Sequence, residues 1–144
     1  SENDLETALL NKIEDFLLEL GHGFCFEARQ KRITVDGEHD RVDLVFYHRV
    51  LKCHVLIDLK IGKFRKEYVG QMNYYLNYFR DKQMTEGDNP PVGMILCTGK
   101  NEAQVKYATA GLDQQIFVSK YKVELPEEQE LIRLLDHSSA QMKE

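Results

Sequence analysis

The chain has 144 residues, the size of one domain with a single core. Its 42% apolar and 30% charged content is that of an ordinary globular protein, and its apolar runs are too short to span a membrane. A formal charge of −5 excludes gripping a polyanion by bulk electrostatics alone, though not through a local basic patch. In chain order, Leu5, Leu9, Ile13, Phe16, Leu17 and Leu20 recur at helical spacing and predict a first helix. Asn3 and Glu6 fit a capping box at its start, and Gly21 and Gly23 end it. "FCFEARQKRITV" reads as a long strand, "DGEHD" as a turn, "RVDLVFYHR" as a second strand, "RVLK" as a turn and "CHVLIDLK" as a third strand. The connections are too short for crossovers, so these strands form an antiparallel meander.

A helix is expected over 64–82, with Val69, Met72, Leu76 and Phe79 as its apolar stripe. "TEGDNPP" breaks the chain, and "VGMILC" is a buried fourth strand. "NEAQVKYATA" is a short helix capped by Asn101, "QIFVSKY" a fifth strand, and "PEEQELIRLLDH" a last helix with Pro126 near its first turn. The order α-β-β-β-α-β-α-β-α predicts an α/β sandwich: a mixed central sheet, the antiparallel meander plus further strands, flanked by helices. No linker divides 1–144, which reads as a single domain. The start at Ser1 rather than Met reads as a C-terminal fragment of a longer protein, and "SENDLETALL" carries no signal-peptide pattern. Cys25, Cys53 and Cys97 lie in apolar runs without metal spacing, and read as reduced, mostly buried thiols of a cytoplasmic protein.

The third strand carries the chemistry. By strict alternation Cys53, Val55, Ile57, Leu59 and Ile61 share an apolar core face. His54, Leu56, Asp58 and Lys60 share the other, which turns polar at its end. Asp43 lies early in the preceding strand, and a tight antiparallel hairpin brings it near Asp58 and Lys60. Two carboxylates and a lysine at one sheet edge suit metal-assisted phosphodiester hydrolysis. Carboxylates hold a hard cation such as Mg²⁺, the cation acidifies a water, and the lysine positions that water or stabilises negative charge. The alternative for Asp58 and Lys60 is a partly exposed surface ion pair.

Asp43, followed by Asp58-Leu59-Lys60 on consecutive strands of this element order, resembles the PD-(D/E)XK nuclease superfamily. Val42 stands where that motif has proline, and Asp58 where glutamate is more usual. Gln71 and Tyr75 in "GQMNYYL" resemble the Q-x-x-x-Y pattern of nucleases related to RecB, and share one helix face. "EARQKRITVDGEHDRVDLVFYHRVLKCHVLIDLKIGKF" and "PPVGMILC" are similar to the C-terminal nuclease domain of YhcG-type bacterial proteins. That resemblance implies a restriction-endonuclease-like fold, a bacterial cytoplasmic protein, DNA as substrate, and a separate N-terminal DNA-binding-like domain in the full-length protein.

The expected metal site for Mg²⁺ or Mn²⁺ is Asp43, Asp58 and the Leu59 carbonyl. Glu6 completes it as superfamily members place a helix-1 glutamate, or else serves only the capping box. Lys60 serves the attacking water and Gln71 orients Lys60 or the substrate. Arg29, Lys63 and Tyr75 are candidate substrate contacts. Glu27, Arg29 and Lys31 are read as one alternating face, and Arg29 either meets a phosphate bidentately or holds the sheet edge through an acidic partner. Lys63, Arg65 and Lys66, with Arg29, Lys31 and Arg32, are read as a positive rim or as solvated charges. Glu14 and Glu19 read as solvated helix charges, and His48 and His54 as structural. Tyr74, Tyr75 and Tyr78 are read as core packing or base-stacking groups. No G-x-x-x-x-G-K-[ST] or G-x-S-x-G motif occurs, which argues against ATP chemistry and a serine hydrolase. The alternative to a metal-dependent DNA nuclease is a catalytically inactive nuclease-fold module that binds DNA or assembles, for instance as a homodimer.

Overall fold

The computed structural model describes residues 7, 8, 10–12, 14, 15, 17, 18 and 21–120. Asn3, Glu6, Glu19 and the expected last helix lie outside the described residues. The described elements are β1 (Phe24–Val35), β2 (Glu38–His48), β3 (Cys53–Lys63), α1 (Glu67–Lys82), β4 (Val92–Gly99), α2 (Glu102–Thr109) and β5 (Gln115–Lys120). The described residues between 7 and 18 are helical and precede β1.

The strands form one sheet in the order β1-β2-β3-β4-β5. β1, β2 and β3 pair antiparallel, whereas β3, β4 and β5 pair parallel through the α1 and α2 crossovers. The first hairpin is tighter than expected. Only Asp36 (φ 49°) and Gly37 (φ 79°) form its turn, and Glu38 already belongs to β2. Two positive-φ residues are what a two-residue hairpin turn requires, and Asp-Gly supplies them at little cost.

Both faces of β3 are buried, where alternation alone suggested one core face and one polar face. Leu44, Phe46, Val55 and Ile57 pack with Leu10 on one side of the sheet. Val45, Leu56, Ile95 and Val118 pack on the other, against Val69, Met72, Tyr75, Leu76 and Phe79 of α1. His54 and Asp58 lie on that second side and are buried with it. Burying each such Leu, Ile, Met or Phe contributes about 1.5–3 kcal/mol. Helices on both faces are therefore an energetic necessity rather than an ornament of the sheet. Asn101 caps α2, its side-chain oxygen accepting from the N–H groups of Ala103 (3.0 Å) and Gln104 (3.2 Å). No helix among the described residues is long and apolar enough to cross a membrane.

Gly93 lets α1 approach β4. A Cβ there would lie 2.6 Å from Met72 Cγ, 2.8 Å from Met72 Sδ and 3.1 Å from Leu76 Cδ1. Gly93→Ala is therefore expected to destabilise the domain by about 1–3 kcal/mol, the range for overpacking. A urea-denaturation midpoint equal to the parent's would show that α1 does not sit this close.

Cys53 and Cys97 are buried as expected, but Cys25 is exposed. β1 is the edge strand of the sheet, so its alternate residues meet solvent even where their neighbours are apolar.

Candidate active site

The candidate site forms where the β2–β3 ladder ends. Backbone pairing runs from His48↔Cys53 to Leu44↔Ile57. The next pair in this register is Asp43 and Asp58. There the carboxylates take the place of backbone acceptors. Asp58 Oδ1 accepts from the Asp43 N–H (3.2 Å), and Asp43 Oδ2 accepts from the Leu59 N–H (2.8 Å). β2 also loses its strict alternation here. Val42 and Val45 are an odd number of residues apart, yet both join the α1-side cluster. The irregularity falls between Val42 and Val45, where the backbone ladder with β3 stops and the two carboxylates take over its hydrogen bonds.

Asp58 is buried at 3% exposure. Burial, and then the negative charge of Asp43, push its carboxyl up to about 7, against the smaller opposing pull of the Asp43 N–H and Lys60. A buried carboxylate facing a second carboxylate is short of positive charge. Lys60 Nζ supplies some of it and is held in place. It donates to Gln71 Oε1 at 2.7 Å and lies 4.9 Å from the Tyr68 ring centroid.

α1 lays Tyr68, Gln71 and Tyr75 along one face at i, i+3 and i+7. Gln71 and Tyr68 are half-buried and meet Lys60. Tyr75 is 2% exposed and belongs to the α1-side core. Burial, then the charges of Asp58, Asp40 and Asp43, push its phenol well up, so it stays neutral. The structure thus brings together Asp43, Asp58, Leu59, Lys60, Gln71 and Tyr75.

Arg29 stands apart. Its guanidinium donates to Asn11 Oδ1 and to the Thr7 carbonyl (3.1 Å), and lies 3.7 Å from Glu14 Oε2. It therefore holds the N-terminal helical residues, and Glu14 is its half-buried partner rather than a solvated charge. Glu27 does not share its direction, because the β1 register shifts between Phe26 and Ala28. Glu27 instead pairs with His54 at 3.1 Å on the α1 side, where the His54 ring also packs edge-on against Phe79. The expected single positive rim is accordingly divided. Arg65 pairs with Glu67 (3.9 Å), and Lys63 ends β3 beside Gly99. Tyr74 is exposed and Tyr78 half-buried. His48 is structural, its Nδ1 accepting from the Leu51 N–H at 3.1 Å.

Two contributors were given no role in the sequence. Gln30 Nε2 donates to Asp43 Oδ1 at 3.1 Å, from a residue with φ of 51°. That left-handed conformation is unusual for a non-glycine residue. Strand patterning gives no sign of it. Tyr68 was legible in principle, as the first member of a Y-x-x-Q-x-x-x-Y face.

The YhcG PDDEXK nuclease domain family matches residues 1–136. The chain is 44% identical over 144 residues to YhcG of Escherichia coli (strain K12), covering all of this chain and 38% of that protein. Among solved structures, a repair endonuclease from Pyrococcus abyssi superposes with a TM-score of 0.57 at 20% identity, over 81% of this chain and 46% of its own. EndoMS in a complex with double-stranded DNA superposes with a TM-score of 0.54 at 14% identity, over 75% and 43%. At those identities the likeness is one of fold, and it makes the mixed five-stranded sheet with flanking helices restriction-endonuclease-like. The ladder-ending Asp43, the buried Asp58 and the tethered Lys60 therefore stand in a chain that belongs to the YhcG PDDEXK nuclease domain family.

Proposed function

We propose that this domain hydrolyses phosphodiester bonds in DNA with the help of a divalent cation, Mg²⁺ or Mn²⁺. The observation that carries the reading is the convergence of Asp43 and Asp58 at the end of the β2–β3 ladder beside a lysine tethered by Gln71. EndoMS is in a complex with double-stranded DNA, which supports the choice of substrate by likeness of fold.

The residues present suit a hard cation. Among the described residues no group of three or more His, Cys, Asp and Glu gathers, so the described donors are the two carboxylates of Asp43 and Asp58 with the Leu59 carbonyl, and Glu6 lies outside the described residues. That set suits a cation that keeps several waters and binds substrate oxygens. Leu59 sends its N–H towards Asp43, and in extended backbone a residue's carbonyl projects to the same side as its N–H. The charge deficit at Asp58 is what a cation would relieve. Bound there, it supplies charge neutralisation at the phosphate and a more acidic water.

The chain's own residues do the rest. Gln71 fixes the direction of Lys60, and the Tyr68 ring lies beside the ammonium. The ammonium is then preorganised to hold the attacking water and to meet charge developing on the phosphate. Gln30 and the Leu59 N–H occupy lone pairs of Asp43 and orient the remainder. Tyr75 backs the site as a neutral, buried phenol. Lys63 is retained as a substrate contact. Arg29 is assigned to holding the N-terminal helical residues instead.

A calorimetric Mn²⁺ titration combined with a DNA cleavage assay tests this reading. The parent is expected to bind Mn²⁺. Asp43→Asn is expected to weaken binding by more than the roughly 10–100-fold typical of losing an outer-sphere partner. A parent that neither binds Mn²⁺ nor cuts any nucleic acid would overturn the proposal in favour of a binding or assembly module on the same fold.

A further inference from the structure

The C-terminal ends of the parallel strands gather a second group of basic side chains. Register partners on adjacent strands project to the same face. Lys60 pairs with Cys97, and Cys97 pairs with Lys120. Lys60 and Lys120 thus stand in one row on the α1 face. They are two strand spacings apart, roughly 10 Å between backbones. The β3 register shifts after Lys60 and brings Lys63 opposite Gly99. Gly99 is two residues beyond Cys97, so Lys63 returns to that same face. A Cβ at Gly99 would lie 3.6 Å from Lys63 Cγ, which fits a lysine stem laid over the glycine.

Lys100 completes the group. Its ammonium donates to the Val118 carbonyl (3.1 Å) and pairs with Glu102 (3.0 Å). It is held and partly neutralised, so the exposed Lys63 and Lys120 carry most of the charge. These three lysines, with Asn101 and Gln104, line a cleft of about 550 Å³ whose wall, among the described residues, holds no carboxylate. In a chain of net charge −5 this is an unusual concentration, and it continues the row that begins at the candidate site.

We infer that this cleft is a phosphate subsite, which holds a backbone phosphate of the nucleic-acid strand as it leaves Asp58 and Lys60. The inference rests on the proposed phosphodiesterase reading and adds the path of the strand. A flexible ammonium gives a point-charge contact to phosphate oxygen without selecting a base. The subsite therefore contributes affinity and register but no sequence preference.

The test measures binding of fluorescein-labelled duplex and single-stranded oligonucleotides to the full chain. Fluorescence anisotropy is read in EDTA over a range of salt concentrations. Lys63→Gln/Lys120→Gln is expected to weaken binding several-fold, equally across sequences. It should reduce the slope of log affinity against log salt by about 0.9 per lost contact on duplex, or about 0.7 on a single strand. Lys82→Gln, which removes one lysine charge at the far end of α1, is expected to leave the slope unaltered. A double variant with the parent's affinity and slope, or one no different from Lys82→Gln, would overturn the subsite. So would a parent that binds neither oligonucleotide. Cleavage with Mn²⁺ is scored separately. A parent that binds with the expected lysine dependence and cuts nothing overturns the nuclease reading alone. A parent that cuts and whose double variant keeps its slope overturns the subsite alone.

Discussion

Lys60→Ala is expected to lower kcat for DNA cleavage by about 10²–10³-fold while leaving the fold and Mn²⁺ binding in place. The magnitude is that of removing one preorganised group aimed at developing charge. The fold should survive because Lys60 is only half-buried and the substitution deletes one hydrogen bond and one ring contact. Each is worth about 1 kcal/mol. Gln71 keeps access to water and is not left as a buried orphan. Single-turnover cleavage with saturating Mn²⁺ and a circular dichroism melt check both halves. Parent-like cleavage by Lys60→Ala would remove the lysine from the mechanism, whatever the metal result.

Asp58→Asn is expected to abolish cleavage and, in metal-free protein, to increase stability. The carboxyl of Asp58 lies at about 7 in the folded chain, against 3.8 ordinarily. A raised carboxyl contributes no penalty below about pH 4, where it is protonated in both states. As pH rises towards 7 the unfolded chain releases the proton while the folded chain retains it, so stability falls through that window. Above it the penalty is constant, on the order of 2–4 kcal/mol. Asparagine has nothing to ionise, and its side-chain oxygen can still accept from the Asp43 N–H. The variant should therefore match the parent near pH 4 and exceed it increasingly up to about pH 7, by melting in EDTA. Mn²⁺ should stabilise only the parent, since binding needs the ionised carboxylate. The same coupling makes metal affinity rise with pH up to about 7, with proton release on binding below it. A variant no more stable than the parent at pH 8 without metal would mean that Asp58 is not strained by burial and by Asp43.

Most of the fold was legible because it depends on local rules. The β1 bounds, the α1 stripe and the Asn101 cap follow from period, helix spacing and cap chemistry. The Asp36–Gly37 turn was legible as a turn, though its two-residue length shows only in the hairpin register. Alternation failed where strands are irregular. The shift between Phe26 and Ala28 sends Glu27 and Arg29 to different partners, and the break between Val42 and Val45 cannot be seen in "RVDLVF". Cys25 looked buried because its neighbours are apolar, but strand order put β1 at the edge. Helices on both sides of β3 turned its apparently polar face into core.

The sequence by itself determined that Asp58 and Lys60 point the same way, that Asp43 stands one hairpin away, and that Gln71 and Tyr75 share a helix face. These are consequences of periods of two and 3.6 residues, which act over a few neighbours. The tertiary structure decided which of these groups meet. It substituted carboxylates for ladder acceptors at Asp43 and Asp58, and it supplied Gln30 from a left-handed kink. It withdrew Arg29 to the other face and lined up Lys60 with Lys120 across two strand pairings. Each of these depends on register between distant segments, and register is set by the packing of the whole sheet against its helices.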